Sequence, residues 1–82
     1  MRIIIEVITP GNGKTYELML DDKLTVGDAK EKMIEQIQSF ENGYIAFDKE
    51  TALFATSYRK RLSEGSSLHK AGIKGGQQVY LL

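Results

Sequence analysis

Few residues of this chain could perform catalytic or metal-binding chemistry. The sequence contains one histidine, His69, and no cysteine, which excludes a thiol nucleophile and the common zinc sites. A hydrolytic triad needs a nucleophile, a base and an orienting group in one pocket. His69 lies in a predicted turn, a setting typical of a solvated or capping histidine, and the adjacent carboxylates Asp21 and Asp22 are typical of a solvated strand end. We therefore expect no enzymatic activity, no catalytic residue, no metal site and no cofactor.

Two glycine-rich segments also need an interpretation. Gly75-Gly76 could be a processing site that exposes a Gly-Gly terminus, but cleavage there would remove Val79 and Leu81. Losing each from a core would cost about 2–5 kcal/mol. A turn is therefore the favoured interpretation. Neither this pair nor Gly11-Asn12-Gly13 has the longer pattern of a phosphate-binding loop.

Charge gives no indication of a nucleic-acid or membrane partner. Eleven basic and eleven acidic residues balance, so no overall field attracts phosphates. The densest basic cluster, Arg59-Lys60-Arg61, is typical of a charged hairpin edge. The apolar run in residues 3–8 is interrupted by Glu6 and is too short for a signal sequence or a membrane span. We expect a cytoplasmic protein that neither inserts into a membrane nor binds nucleic acid.

The first elements that would position any site are two strands. Residues 3–8 are rich in β-branched side chains, which favour a strand, and residues 14–20 alternate apolar and polar side chains. Asn12-Gly13 between them is a strong hairpin signal. Alternation places one set of first-strand side chains on one face (Ile3, Ile5, Val7) and the other set on the opposite face (Ile4, Glu6, Ile8).

One amphipathic helix is predicted over residues 25–38. Thr25 is a good N-cap, and Asp28 three residues later resembles a capping box. Apolar residues recur at spacings of three and four and form one stripe: Val26, Ala29, Met33, Ile34, Ile37.

The second half of the chain is predicted to contain shorter elements. They are strands at 44–47 and 52–57 around a polar turn at 48–51, a basic stretch at 58–62 that is strand or loop, a helical turn at 68–73, and a last strand at 77–82. The helix must bury its stripe against the sheet. We predict an α+β fold, with one helix across a mixed four- to five-stranded sheet whose first and last strands pair in parallel. Residues 1–82 would form one domain.

These residues in this order resemble the ubiquitin family. The similar segments are the opening Met1-Arg2-Ile3-Ile4-Ile5, the helix start from Thr25 to Met33, and the Leu62–Ile73 stretch, which is similar to the pattern Leu-x-Asp-x-x-x-Leu-x-x-x-x-Ile. Val79 and Leu81 fall where the last core strand belongs. The resemblance covers essentially the whole chain and implies a β-grasp fold.

In two departures from the ubiquitin pattern, the sequence instead resembles the small bacterial YukD/EsaB-like proteins. The sequence reaches Leu82 without the Gly-Gly tail of conjugating members, so we expect no ubiquitin-like conjugation. About ten extra residues lie between Phe47 and Leu62, and the ending Gly76–Leu82 is similar to the motif Gly-x-x-(Val/Leu)-x-Leu-Leu. This resemblance implies a non-enzymatic accessory or regulatory protein of a type VII (ESX-like) secretion system. Its partners would be proteins, among them a secretion-system membrane component.

The resemblance also implies a binding site. In ubiquitin-like domains the sheet face opposite the helix carries an apolar patch, whose positions here are Ile8, Ala46, Tyr80 and Leu82. Ala46 is smaller than the usual isoleucine, and Tyr80 could supply the missing area. Ile4 and Met19 would extend the patch. The alternative is a scatter of exposed apolar residues without a function.

Three other possibilities stay open on the sequence. One is a small ubiquitin-like subunit of a multicomponent enzyme. Another, disfavoured by the missing Gly-Gly tail, is a modifier or sulfur carrier. The lengthened hairpin could also pair two chains as a homodimer.

Overall fold

Two long strands joined by a tight turn begin the fold. The computed structural model describes residues 1–43, 47–48, 50–56 and 60–82. Strand β1 spans Arg2–Thr9 and β2 spans Lys14–Asp21, paired antiparallel along their full length. The Thr9 carbonyl accepts hydrogen bonds from the N–H groups of Asn12 and Gly13, and Gly13 has a φ of 70°. The predicted hairpin and its Asn-Gly turn are confirmed.

Helix α1 spans Val26–Phe40 and covers one face of the sheet. As predicted, Thr25 is the N-cap, with its Oγ1 3.1 Å from the Asp28 amide nitrogen that donates to it. The helix continues two residues past the predicted end at 38. It closes where the Gly43 N–H donates to the Gln38 carbonyl at 2.8 Å, with Gly43 at a φ of 78° that glycine adopts without strain.

Among the described residues, three short strands complete a five-stranded sheet. Strands β3 (Leu53–Ala55), β4 (Lys60–Arg61) and β5 (Gln78–Leu81) give the order β2-β1-β5-β3-β4. Strand β5 lies at the centre and pairs in parallel with β1 and antiparallel with β3. The expected parallel pairing of the first and last strands is confirmed.

The predicted strands of the second half need correction. Residues 44–46 of the expected strand at 44–47 lie outside the described residues, and Phe47 is not in a strand. Of the strand expected at 52–57, only Leu53–Ala55 forms β3 among the described residues: Ala52 lies outside the strand, Thr56 is in a turn with its Oγ1 donating to the Gln78 carbonyl at 3.2 Å, and residue 57 lies outside the described residues. Strand β4 comes from the basic stretch, whose residues 58 and 59 lie outside the described residues, and it pairs antiparallel with β3.

The turns between β4 and β5 close the N-terminal end of α1. The Val26 N–H donates to the Ser66 carbonyl at 2.7 Å, and the Gly27 N–H donates to the Glu64 carbonyl at 3.1 Å. The predicted helical turn at 68–73 is present, with the Ala71 N–H bonded to the Ser67 carbonyl at 2.9 Å. The bonds from the Val26 and Gly27 N–H groups satisfy amides that a helix start otherwise leaves free.

The core lies between α1 and the sheet. Its fully buried side chains come from every layer: Ile5 and Val7 of β1, Leu18 of β2, Val26, Met33 and Ile37 of α1, Leu53 of β3, Leu68 of the turns, and Val79 and Leu81 of β5. Within the described residues, no buried side-chain nitrogen or oxygen lacks a hydrogen-bond partner. The helix stripe predicted from spacing is confirmed, with Ile34 at its partly buried edge.

Within the described ranges, α1 falls short of the length and apolar character that crossing a bilayer requires.

Candidate functional site

The sheet face that α1 does not cover carries a mixture of apolar and charged side chains. We call it the open face. Strand alternation assigns its members, because their neighbours along each strand are buried on the helix side. They are Arg2, Ile4, Glu6 and Ile8 of β1, Thr15, Glu17, Met19 and Asp21 of β2, Gln78 and Tyr80 of β5, and Phe54 of β3.

The structure brings together two of the four residues predicted for the binding patch. Ile8 and Tyr80 are direct partners across the parallel β1–β5 pair, and both are partly buried. Leu82 follows Tyr80 by two positions and is 54% exposed. Ala46 lies outside the described residues. That Ile8, Tyr80 and Leu82 bind a partner remains a prediction.

The two residues suggested as an extension of the patch also meet. Ile4 and Met19 are direct partners across β1 and β2, and they are 49% and 54% exposed. An apolar pair that is this exposed becomes buried only when another surface packs against it. This pair lies on the same face as Ile8 and Tyr80, with Ile4 four residues before Ile8 along β1.

Phe54 belongs to the same surface, although the sequence did not indicate it as a binding residue. It is the direct partner of Tyr80 in the antiparallel β3–β5 pair and is partly buried. One row of partners therefore crosses all five strands: Thr15, Ile8, Tyr80, Phe54, Arg61. The sequence signal that could have indicated Phe54 is its alternation with Leu53. The pairing of β3 with β5 is needed to place Phe54 beside Tyr80.

Two carboxylates interrupt the apolar residues of the open face. Glu6 and Glu17 are direct partners across β1 and β2, where opposite side chains have Cβ atoms about 4.5–5.5 Å apart. The Gln78 amide nitrogen donates to Glu6 Oε2 at 2.7 Å. At the next polar position along the face, Arg2 is the direct partner of Asp21.

A second aromatic cluster lies on the helix side of β2. The rings of Tyr16 and Phe40 stack with centroids 6.1 Å apart, and Glu41 accepts a hydrogen bond from the Tyr16 hydroxyl and one of 2.8 Å from Lys14 Nζ. The bond from Lys14, then that from Tyr16, holds the pKa of Glu41 below its ordinary value. Burial and the bond to Glu41 raise the pKa of Tyr16. This cluster joins the end of α1 to the first hairpin.

The residues considered for chemistry have structural roles. The His69 side chain is 79% exposed, with Nδ1 3.7 Å from the Asp22 carboxylate. The interpretation of Asp22 as simply solvated is wrong, because its side chain is only 14% exposed and its Oδ1 also accepts a hydrogen bond from the Met1 amine at 3.1 Å. Among the described residues there is no group of three or more His, Asp or Glu residues that could hold a metal ion.

A groove of about 680 Å³ lies beside β4. Its charged lining residues contact one another or α1: Arg61 lies 3.7 Å from Glu64, and Glu64 accepts a 3.0 Å bond from Lys30. These contacts, led by the bond from Lys30, lower the pKa of Glu64. The groove therefore offers a ligand few charged groups that are not already engaged.

The comparison with solved structures identifies the fold as a ubiquitin-like β-grasp. The ubiquitin-like domain of EccD5 from Mycobacterium xenopi matches with a TM-score of 0.80 at 11% identity, covering 100% of this chain and 93% of that one. The UBL domain of Plasmodium falciparum Dsk2 matches with a TM-score of 0.76 at 22% identity, covering 99% and 96%. Caldiarchaeum subterraneum ubiquitin matches with a TM-score of 0.73 at 20% identity, covering 99% and 91%. No protein-family model and no curated protein matches the chain.

Proposed function

We propose that this chain is a non-enzymatic protein-interaction module of one ubiquitin-like domain that binds its partner through the open face. In this proposal it serves a bacterial type VII secretion system as a cytoplasmic accessory or regulatory component. The binding mode is supported by the row Ile8–Tyr80–Phe54. The secretion setting is supported by the sequence resemblance to the YukD/EsaB-like proteins.

The open face has the composition of a binding surface. Ile4, Met19 and Leu82 are each about half exposed, and the same face carries the partly buried side chains of Tyr80 and Phe54. A concentration of exposed apolar side chains on one face is typical of an interaction site. Tyrosine is also among the residues that dominate binding energy, because its ring buries a large area while its hydroxyl stays hydrogen bonded.

Binding without conjugation is supported by the position of Gly75-Gly76. The Gly76 N–H donates to the Ile4 carbonyl at 2.8 Å, and Gly76 has a φ of 83° in the turn before β5. A Gly-Gly end made here would require the loss of β5, the central strand. Leu82 is itself bound into the sheet by two hydrogen bonds with Ala52, of 2.7 and 3.1 Å.

Affinity purification with gentle cross-linking tests the proposal. The tagged chain would be expressed in its native cells as wild type, as Tyr80→Ala and as Phe40→Ala. Phe40 is a matched control because it is an aromatic residue, 63% exposed, that lies away from the open face at the end of α1. We expect a secretion-system membrane component to cross-link to the wild type and to Phe40→Ala, and to be lost with Tyr80→Ala.

The same variants give a quantitative measurement once a partner is purified. Removing a central aromatic anchor weakens binding by about thirtyfold or more, so Tyr80→Ala should raise the Kd by that factor while Phe40→Ala leaves it unchanged. A folded Tyr80→Ala that keeps full affinity would contradict the open face as the site. A ladder of covalent conjugates would contradict the non-conjugating role, and so would an intact mass that corresponds to cleavage of the 82-residue chain after Gly76.

A further inference from the structure

The open face carries an acidic pair, Glu6 and Glu17, at its centre. The two residues are direct partners across β1 and β2. Like charges directly opposite each other destabilise a sheet, so this arrangement does not help the isolated domain to fold. The adjacent Gln78 donates a hydrogen bond to Glu6, but its amide is neutral and does not balance the charge.

Several other carboxylates on the described surface have cationic partners, whereas Glu31, Glu35 and Glu50, like the acidic pair, have none within ion-pair distance among the described residues. Glu41 is paired with Lys14 at 2.8 Å, Glu64 with Lys30 at 3.0 Å, and Asp22 with the Met1 amine at 3.1 Å. Within residues 1–43, 47–48, 50–56 and 61–82, no lysine or arginine lies within ion-pair distance of Glu6 or Glu17. The acidic pair is therefore uncompensated in this part of the chain.

Apolar side chains flank the acidic pair on both sides along the strands. Ile4 and its partner Met19 lie on one side of it, and Ile8 lies on the other side between its partners Thr15 of β2 and Tyr80 of β5. Each flanking row lies about 6.5–7 Å from the acidic pair, since a strand rises about 3.3 Å per residue. A lysine or arginine of a partner would suit this pattern, because its methylenes could contact the apolar rows while its cationic head reaches the carboxylates.

Resting on the proposed function, we infer that the partner presents a lysine or arginine flanked by apolar side chains, and that this cation binds between Glu6 and Glu17. Charge-assisted hydrogen bonds to carboxylates are stronger than neutral ones. They would fix the register of an otherwise apolar contact, which is how electrostatic complementarity gives specificity. A divalent metal fits less well, because Ca²⁺ takes six to eight oxygen ligands and most of the side chains that flank the acidic pair are apolar.

Selection from a random dodecapeptide display library on the immobilised wild-type chain tests the inference. The probes are then the selected peptides, made synthetically and labelled with a fluorophore. We expect them to share a lysine or arginine with apolar residues on both sides. Amide chemical-shift changes on binding should concentrate in β1, β2 and β5.

Charge-neutral variants isolate the role of the acidic pair. The Glu6→Gln/Glu17→Gln double variant should weaken peptide binding by about fivefold or more, and added salt should weaken wild-type binding more than binding to the variant. The matched control is Glu31→Gln/Glu35→Gln, which removes the same two charges from exposed positions of α1. That control should bind like the wild type.

The outcomes separate this inference from the proposed function. Peptides that lose affinity with Tyr80→Ala but not with Glu6→Gln/Glu17→Gln, or that lack a basic residue, would overturn the acidic pair as a cation site and leave the open face as the binding surface. Peptides that are indifferent to Tyr80→Ala, or a selection that yields none, would count against the open face and the inference together. Binding that requires added Ca²⁺ would replace the basic side chain with a metal and overturn the inference alone.

Discussion

At the scale of single residues, the open face keeps a pair of charges that folding alone does not favour. Because Glu6 and Glu17 are direct cross-strand partners, replacing one carboxylate by a neutral amide should relieve their repulsion. We predict that Glu17→Gln raises the free energy of unfolding by about 0.2–1 kcal/mol. Equilibrium urea unfolding followed by circular dichroism measures this.

The control for that measurement is Glu50→Gln, at an exposed carboxylate outside the strands, which should leave the free energy of unfolding nearly unchanged. A Glu17→Gln variant less stable than wild type would show that the acidic pair is stabilised within the domain. A stabilising effect would instead indicate that the carboxylates are kept for a reason other than folding, which agrees with a role in recognition.

Glu41 gives a residue-scale prediction about pH. Its pKa lies below the ordinary 4.5 because of the hydrogen bonds from Lys14 and then Tyr16. A carboxyl group whose pKa is lower in the folded state stabilises the fold above its unfolded pKa, and this contribution is lost as the pH falls through its folded pKa. We therefore predict that Glu41→Gln is less stable than wild type near pH 7 and that the two converge as the pH falls below the folded-state pKa of Glu41.

Urea unfolding as a function of pH measures that difference. Glu50→Gln is again the comparison, since Glu50 forms no salt bridge within the described part of the chain. A Glu41→Gln curve that runs parallel to the wild-type curve down to the acid end would show that the contacts with Lys14 and Tyr16 do not couple folding to pH.

At the scale of secondary-structure elements, the central position of β5 decides whether Gly75-Gly76 could become a functional terminus. Truncation after Gly76 removes Val79 and Leu81, which are 1% and 2% exposed, at about 2–5 kcal/mol each. A domain of this length has a total stability of about 4–12 kcal/mol. We predict that the truncated chain is unfolded, with a collapsed amide dispersion in its NMR spectrum.

The control for the truncation removes Leu82 alone. That residue is 54% exposed, and its removal costs its partial side-chain burial and its two backbone hydrogen bonds with Ala52, so the shorter chain should stay folded with a lower midpoint of unfolding. A folded chain ending at Gly76 would reverse the argument and restore the modifier alternative.

The elements differed in how far the sequence predicted them, for a physical reason. The β1–β2 hairpin and α1 are specified locally, by alternation, an Asn-Gly turn and the Thr25 cap, and these predictions are confirmed. Strands β3 and β4 are three and two residues long and exist because β5, far along the chain, pairs with β3. No local pattern contains that pairing, which is why their bounds were predicted poorly.

The candidate site divides in the same way. Strand alternation placed Ile4 and Ile8 on one face of β1. The family resemblance supplied the patch of Ile8, Ala46, Tyr80 and Leu82, with Ile4 and Met19 as its extension, and Ala46 lies outside the described residues. Phe54 was missed because its place beside Tyr80 depends on the β3–β5 register. The facing of Glu6 and Glu17 was missed because it follows from the hairpin register rather than from either residue type.

At the scale of the whole molecule, the acidic pair also bears on self-association. In a symmetric dimer the same surface of both copies meets, so a dimer through the open face would bring two acidic pairs together at its centre. Apolar contact from Ile4, Met19 and Tyr80 favours such a dimer, whereas four carboxylates in a partly desolvated interface oppose it, because like-charge juxtaposition at an interface costs several kcal/mol. We predict that the chain does not dimerise through the open face near neutral pH.

Sedimentation equilibrium of wild type, Glu6→Gln/Glu17→Gln and Glu31→Gln/Glu35→Gln tests this prediction. Neutralising the acidic pair should increase self-association, and neutralising the two helix carboxylates should not. A wild-type dimer that dissociates on Tyr80→Ala would show that a second copy covers the open face despite its charges. A dimer insensitive to both Tyr80→Ala and the acidic-pair variant would place the contact elsewhere, as the homodimer considered for the lengthened hairpin requires, and would leave the open face available for a partner.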